Sequence, residues 1–421
     1  MPGTTAAETT TGTLADAVGD APFVRLVASD DGDALAAAAL LARVARAIDV
    51  PYQVRVNADP IRALRSVATE GSEAESADVS IAIGSGARTA DVDVGSDSGI
   101  RAISGTDSAA SASAFAVARK LGLDPDPVLA LAGVVASDGP SDSDEVGDVL
   151  EAGERRDLVE RRPGVALPSL ESVEGMATGL AASTLILAPT SGDPEAAREV
   201  ISEAGIDETT ASGSMPVDDH RRLASLLAVD VCGAPSASDR SATALDRVLR
   251  PYAIAGSAPF ATVGGYADVL RALAREAPGT GIALAISESD PDEGLRSAAL
   301  ETWRSHGMAV HRALDGGTAN RYDGVYEVRL EAPDGVLATA AEVVRDFRSP
   351  EPIAIAADVD GGRIAVAATR SDGVGNTLRS VADEFDAAGW GGPARGGVRA
   401  TDATDVAPAE LLEATREALR G

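Results

Sequence analysis

Lysine is all but missing from this chain: Lys120 is the one lysine, and the rest of the positive charge is arginine. The 36 basic residues face 66 acids, a formal net charge of −30. In dilute buffer such an imbalance makes a protein repel itself. At 1 M salt the Debye length falls to about 3 Å, so this is the surface expected of a protein that works in concentrated salt. The same acidity excludes broad, nonspecific attraction to phosphate and leaves a local arginine patch as the route to any nucleic acid. Cys232 stands alone, which excludes a disulfide framework and a cysteine zinc site. Aromatic residues make up only 3% against 45% apolar residues overall, so the core has to be built from small side chains, chiefly Ala and Val. No run of 18 uncharged apolar residues occurs, so no membrane span is expected. Met1 to Asp20 has neither the basic nor the apolar segment of a secretion signal. A cytoplasmic location is the expectation. Histidine is absent from the first 219 residues; the chain has only His220, His306 and His311.

What is present reads as an α/β protein of two to three domains, on a length of 421 residues. After a Thr/Ala-rich tail expected to be disordered, Phe23–Ala28 reads as a buried strand. Asp30-Asp-Gly-Asp33 is then a turn, Ala34–Ile48 a helix and Tyr52–Asn57 an alternating strand. Strand, turn, helix, strand is a βαβ unit, and such units build parallel sheets. Further strands are expected at 79–83, 281–286, 326–330, 353–357 and 363–368. Helices are expected at 108–121, 128–136, 293–314, 378–388 and 408–419, with a charged helical stretch over 141–162. The organisation expected is a disordered tail (1–21), a parallel-sheet α/β domain (22–165), a helical connector (166–255) and a smaller α/β domain (256–421).

Three places have residues suited to chemistry. Asp31-Gly32-Asp33 follows a strand, where ligands sit in open α/β sheets. Two carboxylates in one turn suit a hard cation such as Mn²⁺ or Mg²⁺. The competing reading is a charged turn in which Asp33 caps the next helix. Asp138, in Ser137-Asp138-Gly139, is a second carboxylate at the end of an apolar segment. The third place is the glycine-rich stretch 389–397, read as a loop. There Gly391, Gly392, Gly396 and Gly397 would let backbone approach a phosphate, with Arg395 and nearby Arg399 to pair with it. His306 and His311, five apart on one helix, are poorly spaced for a shared metal and are expected at the surface or an interface, as is His220.

The order of these elements resembles the RecJ-like single-strand nucleases of the DHH/DHHA1 phosphoesterase family. That family opens with a strand, H-x-D-x-D-G and an Ala/Leu-rich helix. Aligning its last Asp-Gly on Asp31-Gly32 puts Ser29 on the first aspartate and Val27 on the histidine. Its second motif, a strand ending D-x-G-S, matches Gly84-Ser85 but has Ala82 for the aspartate. Around Asp91-Val-Asp93 nothing matches the paired histidines of the name-giving motif. Arg101–Gly105 looks like the family's E-I-S-G-A-G segment, and Gly133–Asp138 like G-A-I-G-D with Asp138 on its aspartate. The stretch 389–397 is similar to the G-G-G-H-P-x-A-A-G loop, with Gly392 in place of its histidine.

The resemblance implies a two-lobed DHH/DHHA1 architecture, a single-stranded DNA or RNA partner running between the lobes, and Mn²⁺ or Mg²⁺ chemistry. Active members hold two metals to generate hydroxide and stabilise the leaving oxygen. Here only Asp31 and Asp138 lie on family positions, with Asp33 beside them, so hydrolysis is expected to be lost or weak. The family also contains an inactive eukaryotic replication factor that joins the MCM ring and the GINS complex, and RecJ-like archaeal proteins associate with GINS. The leading expectation is therefore a replication or repair protein that binds single strands or GINS. The alternatives are a divalent-metal exonuclease using Asp31, Asp33 and Asp138, and a small-nucleotide phosphodiesterase.

Overall fold

The computed structural model describes residues 3–70, 78–84, 100–105, 108–137, 143–207, 215–255, 259–287, 292–370 and 373–420. The chain forms two compact units: 1–160 with 254–259 and 269–299, and 161–253 with 260–268 and 300–421. This differs from the expected division. The stretch 166–255 is not a separate connector; nearly all of it belongs to the second unit, and 269–299 completes the first. Among the described residues no helix is long and apolar enough to cross a membrane.

The first unit holds a parallel sheet in the order β2-β1-β3-β4, from β1 (Val24–Ala28), β2 (Tyr52–Val56), β3 (Val79–Ile83) and β4 (Ile100–Ile103). The register sets Val27 beside Arg55 on one flank and Ala82 on the other. From β1 the chain passes to β2 through α2 (Gly32–Ala47), then reverses to β3 through α3 (Pro60–Glu70). Right-handed crossovers in opposite directions leave α2 and α3 on opposite faces of the sheet. The reversal occurs beside β1, so the turn after β1 lies at the topological switch point. In α2, 13 of 16 residues are buried, which an amphipathic helix cannot manage; its alanines let α4 (Ala110–Lys120), α5 (Pro127–Ala136) and α7 (Pro278–Ile286) pack around it.

Two expectations fail in this unit. The tail 1–21 is not wholly disordered: α1 (Gly3–Gly19) packs against α4, with Leu14, Ala15 and Val18 buried. The stretch 281–286 is not a strand but the end of α7. Pro278 starts that helix, and Gly281 lies so close to α2 that a Cβ there would meet Leu35 at 2.7 Å. A short apolar run suits either element by pattern, and packing decides. Among the described residues of the charged stretch 141–162, the helix is α6 (Asp144–Arg155), followed by extended residues 159–161.

The second unit holds a six-stranded sheet in the order β9-β10-β8-β7-β6-β5. Its strands are β5 (Thr318–Tyr322), β6 (Val325–Arg329), β7 (Ile353–Asp358), β8 (Arg363–Ala368), β9 (Ala388–Gly391) and β10 (Arg395–Arg399). Only β6 and β7 are parallel; the other pairs are antiparallel. Alternating residues feed two cores. Val328, Ala354, Ala356 and Ala365 join helix α9 (Asp334–Val343) on one face. Val325, Ile355, Ile364 and Val366 join α10 (Val374–Glu384) and α11 (Pro408–Arg420) on the other.

Candidate functional site

The turn after β1 is built from its own hydrogen bonds. Ser29 is anchored by its N–H to the Ile83 carbonyl at 2.8 Å, and its hydroxyl donates to Asp31 Oδ2 at 2.6 Å. The other oxygen of Asp31 accepts from the Ala34 N–H at 2.7 Å, making Asp31 the N-cap of α2. Asp33 points elsewhere. Its two oxygens accept the N–H groups of Ala110 and Ser111 at 2.7 and 2.9 Å, so it caps α4 from 77 residues away. Burial, and then the nearby Asp31 carboxylate, push the Asp33 pKa from 3.8 up to about 7.

Gly84 closes the turn. Its φ is +106°, and a Cβ there would lie 1.9 Å from Ser29 Oγ and 3.1 Å from Asp31 Oδ2. Gly84→Ala combines a left-handed strain with a clash into buried polar atoms. It is expected to cost about 3 kcal/mol, read as a lowered midpoint in thermal or chemical unfolding.

Two of the positions aligned through the resemblance are apolar. Val27, on the histidine position, and Ala82, on the second aspartate position, are register neighbours on β1 and β3. They form one buried cluster with Ile61 and Leu64 of α3. Asp138, Ser85, Asp91 and Asp93 lie outside the described residues. Among the described residues no group of three or more His, Cys, Asp or Glu lies together as a metal site. Asp31 and Asp33 share a turn, but each is directed at a different helix terminus.

The glycine-rich stretch is a hairpin rather than a loop. β9 and β10 pair with Trp390 opposite Gly397, where a Cβ would meet the indole ring at 2.6 Å. Gly396 is likewise pressed against the Trp390 carbonyl. These two glycines make room for Trp390 and the strand crossing, and Gly391 and Gly392 bring the chain round to Arg395. Arg395 is nearly buried and pairs with Glu342 at 3.3 Å; Arg399 pairs with Asp334 at 2.9 Å and lies over the Trp390 ring. Both guanidinium groups are thus engaged within their own unit.

The histidine expectation is corrected at two positions. His306 and His311 are buried in the second unit on α8 (Glu293–Gly316), bonded to the Thr339 hydroxyl at 2.7 Å and the Ser183 carbonyl at 2.9 Å. Sequence reading also missed Asp268, a buried carboxylate. It accepts from the Ser183 and Thr184 hydroxyls, the Thr184 N–H and Trp303 Nε1, all at 2.6–3.2 Å. Its partners come from two distant stretches, Ser183–Thr184 and Trp303, so no local pattern marks it. Four donors on one carboxylate make a structural hub.

The comparisons agree with this architecture. A family model described as "Uncharacterized protein rrnAC1427, C-terminal domain" matches residues 317–417, which contain the six-stranded sheet. The rrnAC1427 protein of Haloarcula marismortui is 42% identical over 416 residues, covering 98% of this chain and 97% of that one. Among solved structures, CDC45 from Entamoeba histolytica superposes with a TM-score of 0.61 at 11% identity, covering 99% of both chains. RecJ from Thermus thermophilus in complex with Mn²⁺ gives 0.47 at 13% identity, over 100% of this chain and 55% of that one. The two-lobed DHH/DHHA1-type α/β architecture expected from sequence is the fold of the chain, and the CDC45 likeness runs nearly end to end.

Proposed function

The chain belongs to the family of the Haloarcula marismortui protein rrnAC1427, and from that membership and its fold we propose a RecJ-type protein of DNA replication or repair that acts by binding rather than by hydrolysis. The observation that carries this reading is the Val27–Ala82 pair. Where the family's nuclease chemistry needs an imidazole and a carboxylate on adjacent strands, this chain has two aliphatic groups sealed under Ile61 and Leu64. A two-metal clamp needs ligands on both flanks of the reacting phosphate. The two acids of the turn are spent on helix termini. Mn²⁺ or Mg²⁺, the family's metals, would find no prepared donor set among the described residues.

Arg395 and Arg399 are paired with acids of their own unit, which argues against phosphate at the hairpin. The GINS complex, suggested by the resemblance, is the partner to test by pull-down in molar KCl. Purified protein incubated with end-labelled single-stranded DNA and RNA and Mn²⁺ in molar KCl is expected to leave both intact. Cleavage that EDTA abolishes and that co-purifies with the folded protein would overturn the reading and restore the metal exonuclease.

A further inference from the structure

We propose that the α3-side face of the first unit's sheet is a binding surface for the phosphate backbone of single-stranded nucleic acid. The inference rests on the binding reading above and places the site away from the paired hairpin arginines.

Alternation along the strands decides which side chains share this face. Val27 and Ala82 point to α3, so Phe23, Arg25, Gln53, Arg55 and Ser80, two residues away or in register with them, point the same way. Of the described side chains of helix α3, Ile61 and Leu64 pack on the Val27 end. Phe23, Arg25, Gln53 and Ser80 stay partly exposed, and Arg55 is exposed. The strand positions of this face contain no carboxylate: the remaining ones are Ile100 and Ala102. In a chain with 66 acids that is a distinct local environment.

The arginines here differ from those of the hairpin. Arg25 donates to the Ser80 hydroxyl at 3.3 Å and lies over the Phe23 ring at 5.4 Å, partners that leave its charge uncancelled. Among the described residues Arg55 and Arg62 form no ion pair. Arg62 and Arg65 lie on the solvent side of α3. Among the described side chains, Asp59 caps α3 by accepting the Arg62 N–H at 3.0 Å, and Asp78 before β3 is half-buried.

Guanidinium groups spread over a strand face, with a half-exposed aromatic ring and two polar side chains among them, suit a flexible phosphate chain. The arginines neutralise phosphates, and the ring offers a base a stacking surface. An acidic protein segment would use the charges but has no need of the Phe23 ring beside Arg25.

The test is fluorescence anisotropy of a labelled oligothymidylate with the full chain, titrated across a KCl series. The variants are Arg25→Gln/Arg55→Gln/Arg62→Gln and, separately, Phe23→Ala. Unfolding midpoints confirm that each variant is folded; the three glutamines are surface changes and keep the side chains polar. The triple variant is expected to bind at least about tenfold more weakly and to lose about two units of salt slope, the value for three single-strand phosphate contacts. Phe23→Ala is expected to weaken binding with the slope unchanged. Equal affinity of wild type and triple variant overturns this site and leaves the non-hydrolytic reading intact. So does the absence of any oligonucleotide binding by the wild type. Wild-type self-association that the triple variant abolishes, seen by light scattering without oligonucleotide, also overturns it and assigns the face to a second copy. Loss of the labelled strand by EDTA-sensitive cleavage is a separate readout and overturns the proposed function instead.

Discussion

Between pH 4 and pH 7 the wild-type protein is expected to lose about 3 kcal/mol of unfolding free energy relative to Asp33→Asn. The native state keeps a proton on Asp33 up to about pH 7, whereas the unfolded chain releases it near 3.8. Between those values the native state binds more protons, so stability falls as pH rises, and it levels off above pH 7. Asparagine has no charge to bury and shows no such slope. Taking the difference between two otherwise identical acid-rich chains removes the contribution of the other carboxylates. Chemical unfolding at a series of pH values in constant salt reads it directly. A flat difference would mean that Asp33 is ionised throughout.

The same titration separates a cap from a metal ligand. A carboxylate that holds Mn²⁺ must be ionised, so binding lowers its pKa and releases a proton. Saturating Mn²⁺ is expected to leave the slope unchanged; its disappearance would make Asp33 a ligand. His311 acts in the opposite sense and on the acid side. Burial pushes its pKa below 6.5, so the unfolded chain takes up a proton first. The stability of the neutral imidazole is present above pH 6.5 and is lost as pH falls, a loss that His311→Gln is expected to remove.

The parts of the fold readable in the sequence are those whose signals are local. Val24–Ala28, the acidic turn and the alanine-rich α2 follow from strand period, capping residues and helix propensity within one short stretch. The turn's role did not follow. Whether Asp33 meets a cation or the Ala110 and Ser111 N–H groups depends on a helix that begins 77 residues later. Val27 and Ala82 were legible as departures from the resemblance, but not their packing: that they touch Ile61 and Leu64 is a consequence of the crossover through α3.

The errors have the same origin. Gly396 and Gly397 suggested a phosphate loop because glycine permits close backbone approach. What approaches is the chain's own Trp390 on the paired strand. Polar residues of a helix such as α8 usually face water, yet His306 and His311 are covered because Thr339 and the Ser183 carbonyl receive them. α1 shows the reverse case. Its composition is too poor in large apolar residues to order alone, yet Leu14, Ala15 and Val18 are buried and the helix packs against α4.

Removing Arg416 is expected to be among the most damaging single changes in the second unit, at about 3–5 kcal/mol. Glu327 on β6 is fully buried, and its two oxygens are taken by Arg329 at 2.8 Å and Arg416 at 2.9 Å. Arg416, on α11, also lies 4.2 Å from the Tyr322 ring centroid on β5. One guanidinium thus fastens the last helix to two strands. Alanine would leave half of a buried carboxylate unpaired, which costs far more than the intact pair contributes. The cause is therefore tested by the double change Arg416→Met/Glu327→Gln. It removes both charges, keeps the volume, and is expected to recover more than half of the loss. Equal damage in the single and double variants would assign the effect to the packing of the arginine stem and the Tyr322 contact instead. Denaturant unfolding of the three proteins distinguishes the cases. Arg329, half-exposed beside Glu327, serves as the control: Arg329→Ala leaves Arg416 in place and is expected to cost about 1 kcal/mol.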